Sequence, residues 1–141
     1  MHLTGVDISP RSLDRARRRS DRLGRDVTLE VADTQHLPYP DAGFDTVPAT
    51  CVFCSVADPV QGLREVARVV RPTGRVLLYE HVRPRNPVLG KLSDLLSPLT
   101  RRLMGPELNR RTDDNVTAAG LRIAKIHRKG MWREIVAARK P

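Results

Sequence analysis

The 141-residue sequence is short of aromatic residues, of cysteine and of long apolar runs, and each shortage removes a class of protein. Two Phe, two Tyr and one Trp make up 4% of the chain. The arginines are not interleaved with aromatic stacking platforms, and no recognisable nucleic-acid module is present. Two cysteines, Cys51 and Cys54, cannot form the disulfide framework of a small secreted domain. No apolar segment approaches the roughly 20 residues of a membrane-spanning helix, and no apolar leader opens the chain. A cytoplasmic location is therefore expected.

What is present points to a folded protein. Hydrophobic residues make up 40% of the chain and fall in periodic runs, beside eleven prolines. The length suits one domain, residues 1–141, with a real core. The net charge of +9 comes from 25 Lys and Arg against 16 Asp and Glu. It fits a solvated basic surface, since the arginines are spread along helix-like stretches and both ends. Nucleic acid is not an expected partner, and the oligomeric state is not legible.

Strand and helix signals alternate along the first 82 residues. Leu3 to Ile8 reads as a strand, and Ser9 followed by Pro10 as a cap and first helical turn. The helix runs to Leu23, with Leu13, Ala16 and Leu23 inward, and Gly24 ends it. Val27 to Ala32 alternates as a second strand. After the loop TQHLPYPDAG, Phe44 to Phe53 reads as a buried third strand, with Pro48 as an anomaly. Asp58 and Pro59 open a helix through Val70, Pro72 to Gly74 turn the chain, and Arg75 to Val82 is a fourth strand. Later, Thr112 to Ala119 reads as a short helix, with Leu121 to Arg128 and Trp132 to Arg139 as a closing hairpin around Lys129 and Gly130. The fold class is α/β: a mostly parallel sheet with an antiparallel C-terminal hairpin.

Open α/β sheets bind ligands beyond the carboxyl ends of their strands. Asp7, Asp33 and the Ala49-Thr50 region fall there. A carboxylate after such a strand can accept hydrogen bonds from two ribose hydroxyls. It can equally assist the helix start at Ser9, and Asp33 can equally shape a turn. Cys51 and Cys54, three apart on the expected strand, would point to opposite faces and act as small core residues, with no metal site implied.

In this order and at these intervals, GVDISPRSLDRAR, VADTQHLPYPDAGFDTV and LREVARVVRPTGRVLLYE resemble the class I S-adenosylmethionine-dependent methyltransferases. The subgroup is that of ubiquinone/menaquinone-biosynthesis, phospholipid N- and small-thiol methyltransferases, to which CVFCSVADP and YEHV are also similar. The resemblance implies a Rossmann-like fold and S-adenosylmethionine as cofactor. It makes Asp7 the ribose-binding acid, with Ile8 packing against adenine. Asp33 would bond the adenine amino group beside Thr34, and the backbone of Ala49 and Thr50 would lie near the methionine part. Alignment alone suffices for transfer of an activated methyl group, so no obligatory catalytic acid or base is implied.

Three departures stand out. The family's first strand and its glycine-rich E/D-x-G-x-G-x-G loop are absent, so the chain reads as N-terminally truncated. Pro48 replaces a small or branched apolar residue, and Thr73 replaces the first glycine of an R-P-G-G turn. The missing strand is central in the family, and its neighbours are expected to pair directly here. Without the loop, residues 1–141 are expected to bind S-adenosylmethionine poorly or not at all.

Glu80 and His81 end a strand on the substrate side, where they would orient an acceptor, take its proton or simply be solvated. Residues 84–115 read as a substrate-cover insertion. Its leucine-rich part, Val88 to Met104, would either touch a membrane surface through its basic flanks or cover the core as a helix pair. The reading is methyl transfer to a small, apolar or lipid-like acceptor. An inactive structural remnant and a basic nucleic-acid binder are the alternatives.

Overall fold

The computed structural model describes residues 2–81, 112–129 and 132–140, with isolated positions at 86, 88, 91 and 95. Strand β1 (Thr4–Asp7) leads into helix α1 (Pro10–Arg22), then β2 (Thr28–Val31) and β3 (Phe44–Thr50). Helix α2 (Pro59–Val69), β4 (Val70–His81), helix α3 (Thr112–Ala118), β5 (Leu121–Lys129) and β6 (Trp132–Arg139) follow among the described residues. The substrate-cover segment expected over residues 84–115 lies outside the described residues, apart from isolated positions and the start of α3. No helix among the described residues is long and apolar enough to cross a membrane.

The helix boundaries follow from local chemistry. Ser9 caps α1 by accepting the Ser12 N–H on its hydroxyl at 3.4 Å, with Pro10 in the first turn. Asp58 caps α2 by accepting the Gln61 N–H on Oδ1 at 2.9 Å, followed by Pro59. A side-chain oxygen there satisfies a donor that the first turn leaves open. Gly24 takes the left-handed conformation, φ 57°, immediately after the end of α1, a geometry that costs glycine nothing.

Two sheets form. In one, β1 and β2 pair in parallel; in the other the order is β3-β4-β6-β5. Strand β3 runs parallel to β4, whereas β6 is antiparallel to both β4 and β5. The mostly parallel sheet with an antiparallel hairpin is therefore present. Direct pairing of the strands carrying Asp7 and Thr50 is not: β1 and β3 lie in separate sheets. Both instead line a slot of about 360 Å³ between the sheets, with Leu37, Tyr39, Val66 and Val69.

Hydrogen-bond directions show how each wall of the slot is built. The carbonyls of Leu3 and Asp7 accept the amides of Thr28 and Ala32. Backbone groups alternate along a strand, so those of Thr4 and Val6 turn away from β2, toward the slot. On β3, the Cys51 N–H donates to the Tyr79 carbonyl at 2.9 Å. The backbone groups of Thr46, Pro48 and Thr50 consequently turn away from β4. Pro48, anomalous for a central strand, thus lacks its N–H on the side where no ladder bond to β4 is lost. That is the placement a proline tolerates in a sheet edge.

The core sits between the larger sheet and α2 and α3. Leu63, Val66 and Val69 from α2 meet Val76 and Leu78 from β4 and Ile135 from β6, all buried. On the other sheet face Tyr79 and Trp132 stack, with ring centroids 5.0 Å apart and planes 11° from parallel.

Several expectations are corrected. Ala16 and Leu23 are exposed: among the described residues α1 packs chiefly on β1 and β2, and Leu13 is its buried side chain there. Strand β3 ends at Thr50, where Cys51 takes φ 53°, a left-handed geometry that breaks extended pairing. Strand β4 begins at Val70, ahead of the expected Arg75, because Val70 already pairs with Phe44. The register then jumps to Thr46 with Arg75, so Pro72, Thr73 and Gly74 fall in a bulge within the strand. A Cβ on Gly74 would stand 2.7 Å from Val70 Cγ2 and 2.8 Å from the Asp45 carbonyl, which explains why a glycine survives there.

Candidate functional site

Strands β1, β2 and β3 finish around one cleft. It measures about 450 Å³ and is lined by Asp7, Ile8, Asp33, Thr34, Thr50 and Val52, among others. Five of the six cofactor-side residues expected from sequence thus share one wall. The sixth, Ala49, lines the adjoining slot, to which Asp7, Thr34 and Thr50 also contribute. The volume is in the range of small-molecule sites.

Asp7 closes β1 and looks onto the start of α1. Its Oδ1 accepts the Ser9 N–H at 2.8 Å, so the helix-start role is real. Its second oxygen carries no hydrogen bond among the described residues and remains available to a ligand. The two readings of this acid are therefore compatible, one per oxygen. Ile8, 71% exposed, presents an apolar surface at the cleft rim.

Asp33 is more fully engaged. Oδ1 accepts the Gln35 backbone N–H at 2.9 Å, and both carboxylate oxygens accept the Gln35 side-chain amide at 3.1 Å. These bonds, the backbone one first, hold the carboxyl below its ordinary value. The lowered value favours the folded state above the ordinary carboxylate range, and the contribution is lost as pH falls through it. Gln35 also accepts the Asp58 N–H on Oε1 at 2.8 Å, and its carbonyl accepts from Gln61 Nε2 at 3.3 Å. It ties the cleft to the start of α2. Nothing in local sequence singled out the tie Gln35 makes to α2, because Asp58 and Gln61 lie 23 and 26 residues away.

Glu80 is neither solvated nor presented to the cleft. Its side chain is fully buried. Oε1 accepts the amides of Val52 at 2.9 Å and Phe53 at 3.2 Å, and Oε2 accepts that of Cys54 at 3.2 Å. Three consecutive N–H groups around one carboxylate make an anion-binding turn. Burial nonetheless outweighs those bonds and pushes the Glu80 carboxyl up. The role of this residue is to hold the turn after β3 in place, and that turn brings Val52 to the cleft. His81 ends β4.

The cysteine pair belongs to the same turn. Cys54 is buried and its Sγ donates to the Cys51 carbonyl at 3.4 Å, whereas Cys51 is exposed. Only Cys54 behaves as the small core residue expected of both. Burial pushes the Cys54 thiol up to about 11, which leaves it protonated and unreactive near neutrality.

A second clasp closes the loop between β2 and β3. Arg68 on α2 donates to both Glu65 oxygens at 2.8 Å, to Asp41 Oδ1 at 2.8 Å, and to the carbonyls of Tyr39 at 2.7 Å and Leu37 at 2.9 Å. Glu65 also accepts the Leu37 N–H at 2.9 Å. The Arg68 side chain is 30% exposed, so these charge-assisted bonds are partly sheltered. Arg68→Ala is expected to lower stability by about 2–3 kcal/mol. Chemical denaturation checks the value, and amide exchange should quicken in the loop around Leu37 while β5 and β6 stay protected.

Comparison with known proteins adds the following. A family described as "Methyltransferase domain" matches residues 1–78. The chain is 38% identical over 90 residues to the demethylmenaquinone methyltransferase of Deinococcus radiodurans, covering 64% of this chain and 37% of that protein. It is 37% identical over 95 residues to the ubiquinone/menaquinone biosynthesis C-methyltransferase UbiE of Bdellovibrio bacteriovorus, covering 67% and 40% respectively. The matched region thus spans about two fifths of these relatives. Among solved structures, the [4+2]-cyclase SpnF superposes with a TM-score of 0.80 at 17% identity, covering 99% of this chain and 66% of that one. A SAM-dependent methyltransferase from Methanosarcina mazei gives 0.78 at 18% identity, covering 98% and 82%. At such identities the structures speak for the Rossmann-like fold alone.

Proposed function

Because the chain belongs to the methyltransferase domain family, we propose that the cleft beyond β1, β2 and β3 receives the nucleoside end of S-adenosylmethionine, the cofactor of that family. The single observation that carries this reading is the carboxylate of Asp7. One of its oxygens is fixed by the Ser9 amide and the other is open to the cleft. A ribose hydroxyl suits that open acceptor, and the exposed side chain of Ile8 suits the flat face of a base. Asp33 fits less simply, since Gln35 already occupies both its oxygens. An adenine amino group would have to share or displace that side-chain amide. Thr34, Ala49 and Thr50 complete the wall on the slot side.

When bound, S-adenosylmethionine supplies a methyl group already activated by its sulfonium. The work left to this chain is to orient the cofactor and keep the acceptor in line with it. The acceptor we assign is small and apolar. The names of the quinone-methylating relatives support that class, as does the apolar lining from Val47, Val52, Val66 and Val69.

The slot beside the cleft leaves the cofactor one open flank. Affinity of residues 1–141 alone for S-adenosylmethionine is therefore expected to be weak, a Kd of roughly a millimolar. A titration followed by amide chemical shifts tests this: Asp7, Ile8 and Thr34 should move together and saturably. Asp7→Ala should weaken binding by about tenfold, the effect of losing a charge-assisted hydrogen bond of about 1–3 kcal/mol. Shifts scattered away from the cleft would overturn the site, and micromolar affinity would overturn the weak binding.

A further inference from the structure

We propose that the arginine face of α1 is a docking surface for an anionic lipid bilayer, which it meets with the helix lying along the headgroup layer. This surface lies outside the cleft, and its role does not depend on the cofactor reading.

Arg11, Arg15, Arg18 and Arg22 recur along α1 at steps of four, three and four residues. At about 3.6 residues per turn these steps return to one face, within an arc of about 60°, and the row is about 16 Å long. Leu13 is the buried residue of the helix, and it points about 190° from the centre of the row. The arginines therefore face directly away from β1 and β2. All four are exposed. Among the described residues none of their guanidinium groups meets an acid, and the one bond they make, from Arg22 Nε to the Arg18 carbonyl at 3.3 Å, stays within the row.

The stability of the helix does not ask for this row. Like charges three and four residues apart repel one another. Arg11 stands in the first turn, where the helix dipole disfavours a cation and where no acid is present. Arg22, in the last turn, is the member of the row that complements the dipole. Countercharge from outside the chain relieves all of these repulsions together.

The flanks of the row select the kind of anion. Asp14 and Asp21, both exposed, lie about 70–90° to one side of its centre. A nucleic-acid groove surrounds a helix and would press phosphates against these two carboxylates, whereas a flat layer of headgroups touches the arginines alone. No aromatic residue on α1 offers a base a platform to stack on. Guanidinium groups also bind phosphate oxygens through paired bonds, which suits a phospholipid surface. Arg11, Arg15 and Arg18, with Asp14 at their side, frame an open hollow of about 400 Å³ that has room for one such headgroup phosphate. Because α1 begins beside Asp7 and Ile8, docking on this face would hold the rim of the cleft close to the bilayer.

The test uses the full chain and vesicles of phosphatidylcholine, with or without phosphatidylglycerol, and reads binding by cosedimentation. Binding is expected to the vesicles with phosphatidylglycerol only, and it should fall steeply between low salt and about 0.15 M salt. Arg15→Gln combined with Arg18→Gln is expected to weaken it about 25-fold, at about fivefold per arginine. Arg75→Gln combined with Arg122→Gln removes the same charge from exposed positions of the larger sheet, and should change binding by less than about threefold. Thermal melting of both variants keeps loss of fold out of the comparison, and the vesicle and salt arms need no substitution. Equal losses from the two pairs would show attraction to net charge alone and overturn the proposal. Equal binding to vesicles of phosphatidylcholine alone would overturn it too. Tighter binding to a DNA duplex than to the anionic vesicles at equal phosphate, weakened by the same α1 substitutions, would assign the face to nucleic acid and overturn it as well.

Discussion

Glu80→Ala is expected to lower the unfolding free energy by about 3–5 kcal/mol, the scale for orphaning groups around a buried charge. The alanine leaves the amides of Val52, Phe53 and Cys54 facing the cavity that the carboxylate vacates. Urea denaturation measures the loss. Glu80→Gln keeps the shape, but its NH2 group would face at least one amide donor, so an intermediate cost of about 1–2 kcal/mol is expected. The pH dependence separates charge from shape. Burial raises the carboxyl in the folded chain, so the folded state holds that proton more tightly than the unfolded one. The associated stability is complete below the ordinary carboxylate range and is lost as pH rises through the raised value. Glu80→Gln should remove that part of the pH dependence. A slope unchanged by the substitution would show that Glu80 does not titrate in the folded chain.

Phe53→Ala is expected to cost about as much, roughly 3–5 kcal/mol, and to act on the same turn from its apolar side. Phe53 is completely buried, in the cluster with Leu63 and Leu78. Its ring passes so close to α2 that a Cβ on Gly62 would lie 3.1 Å from Cε1. Removal opens a cavity where α2, β4 and the turn meet, and leaves the turn to its carboxylate clasp and its own hydrogen bonds. Calorimetric melting checks the prediction. Phe53→Leu, which retains most of the volume, should lose markedly less. Because these two residues hold one turn, Glu80→Ala and Phe53→Ala are not expected to add.

The division between what the sequence disclosed and what it concealed follows the range of the interactions. Ser9 with Pro10, Asp58 with Pro59, and Gly24 mark helix ends through contacts within four residues, so those boundaries were legible. Asp7, Asp33 and Thr50 were legible as a group because strand ends in an α/β sheet converge whatever their sequence separation. Glu80 was not, since a glutamate at a strand end looks solvated until the turn 27 residues earlier folds over it. Arg68 was concealed for a similar reason, with partners up to 31 residues away. The failure of β1 and β3 to pair was the least legible feature. Apolar pattern sets which face of a strand is buried, but it does not tell which neighbour stands alongside.

Pro48 also bears on how the molecule behaves among its own copies. An open parallel edge is a template on which identical chains can stack without limit, and β3 would offer seven residues of it. A missing amide near its middle interrupts any such growth after a few bonds. The residue whose missing amide costs the ladder with β4 nothing is thus the one that makes β3 a poor seed for self-assembly.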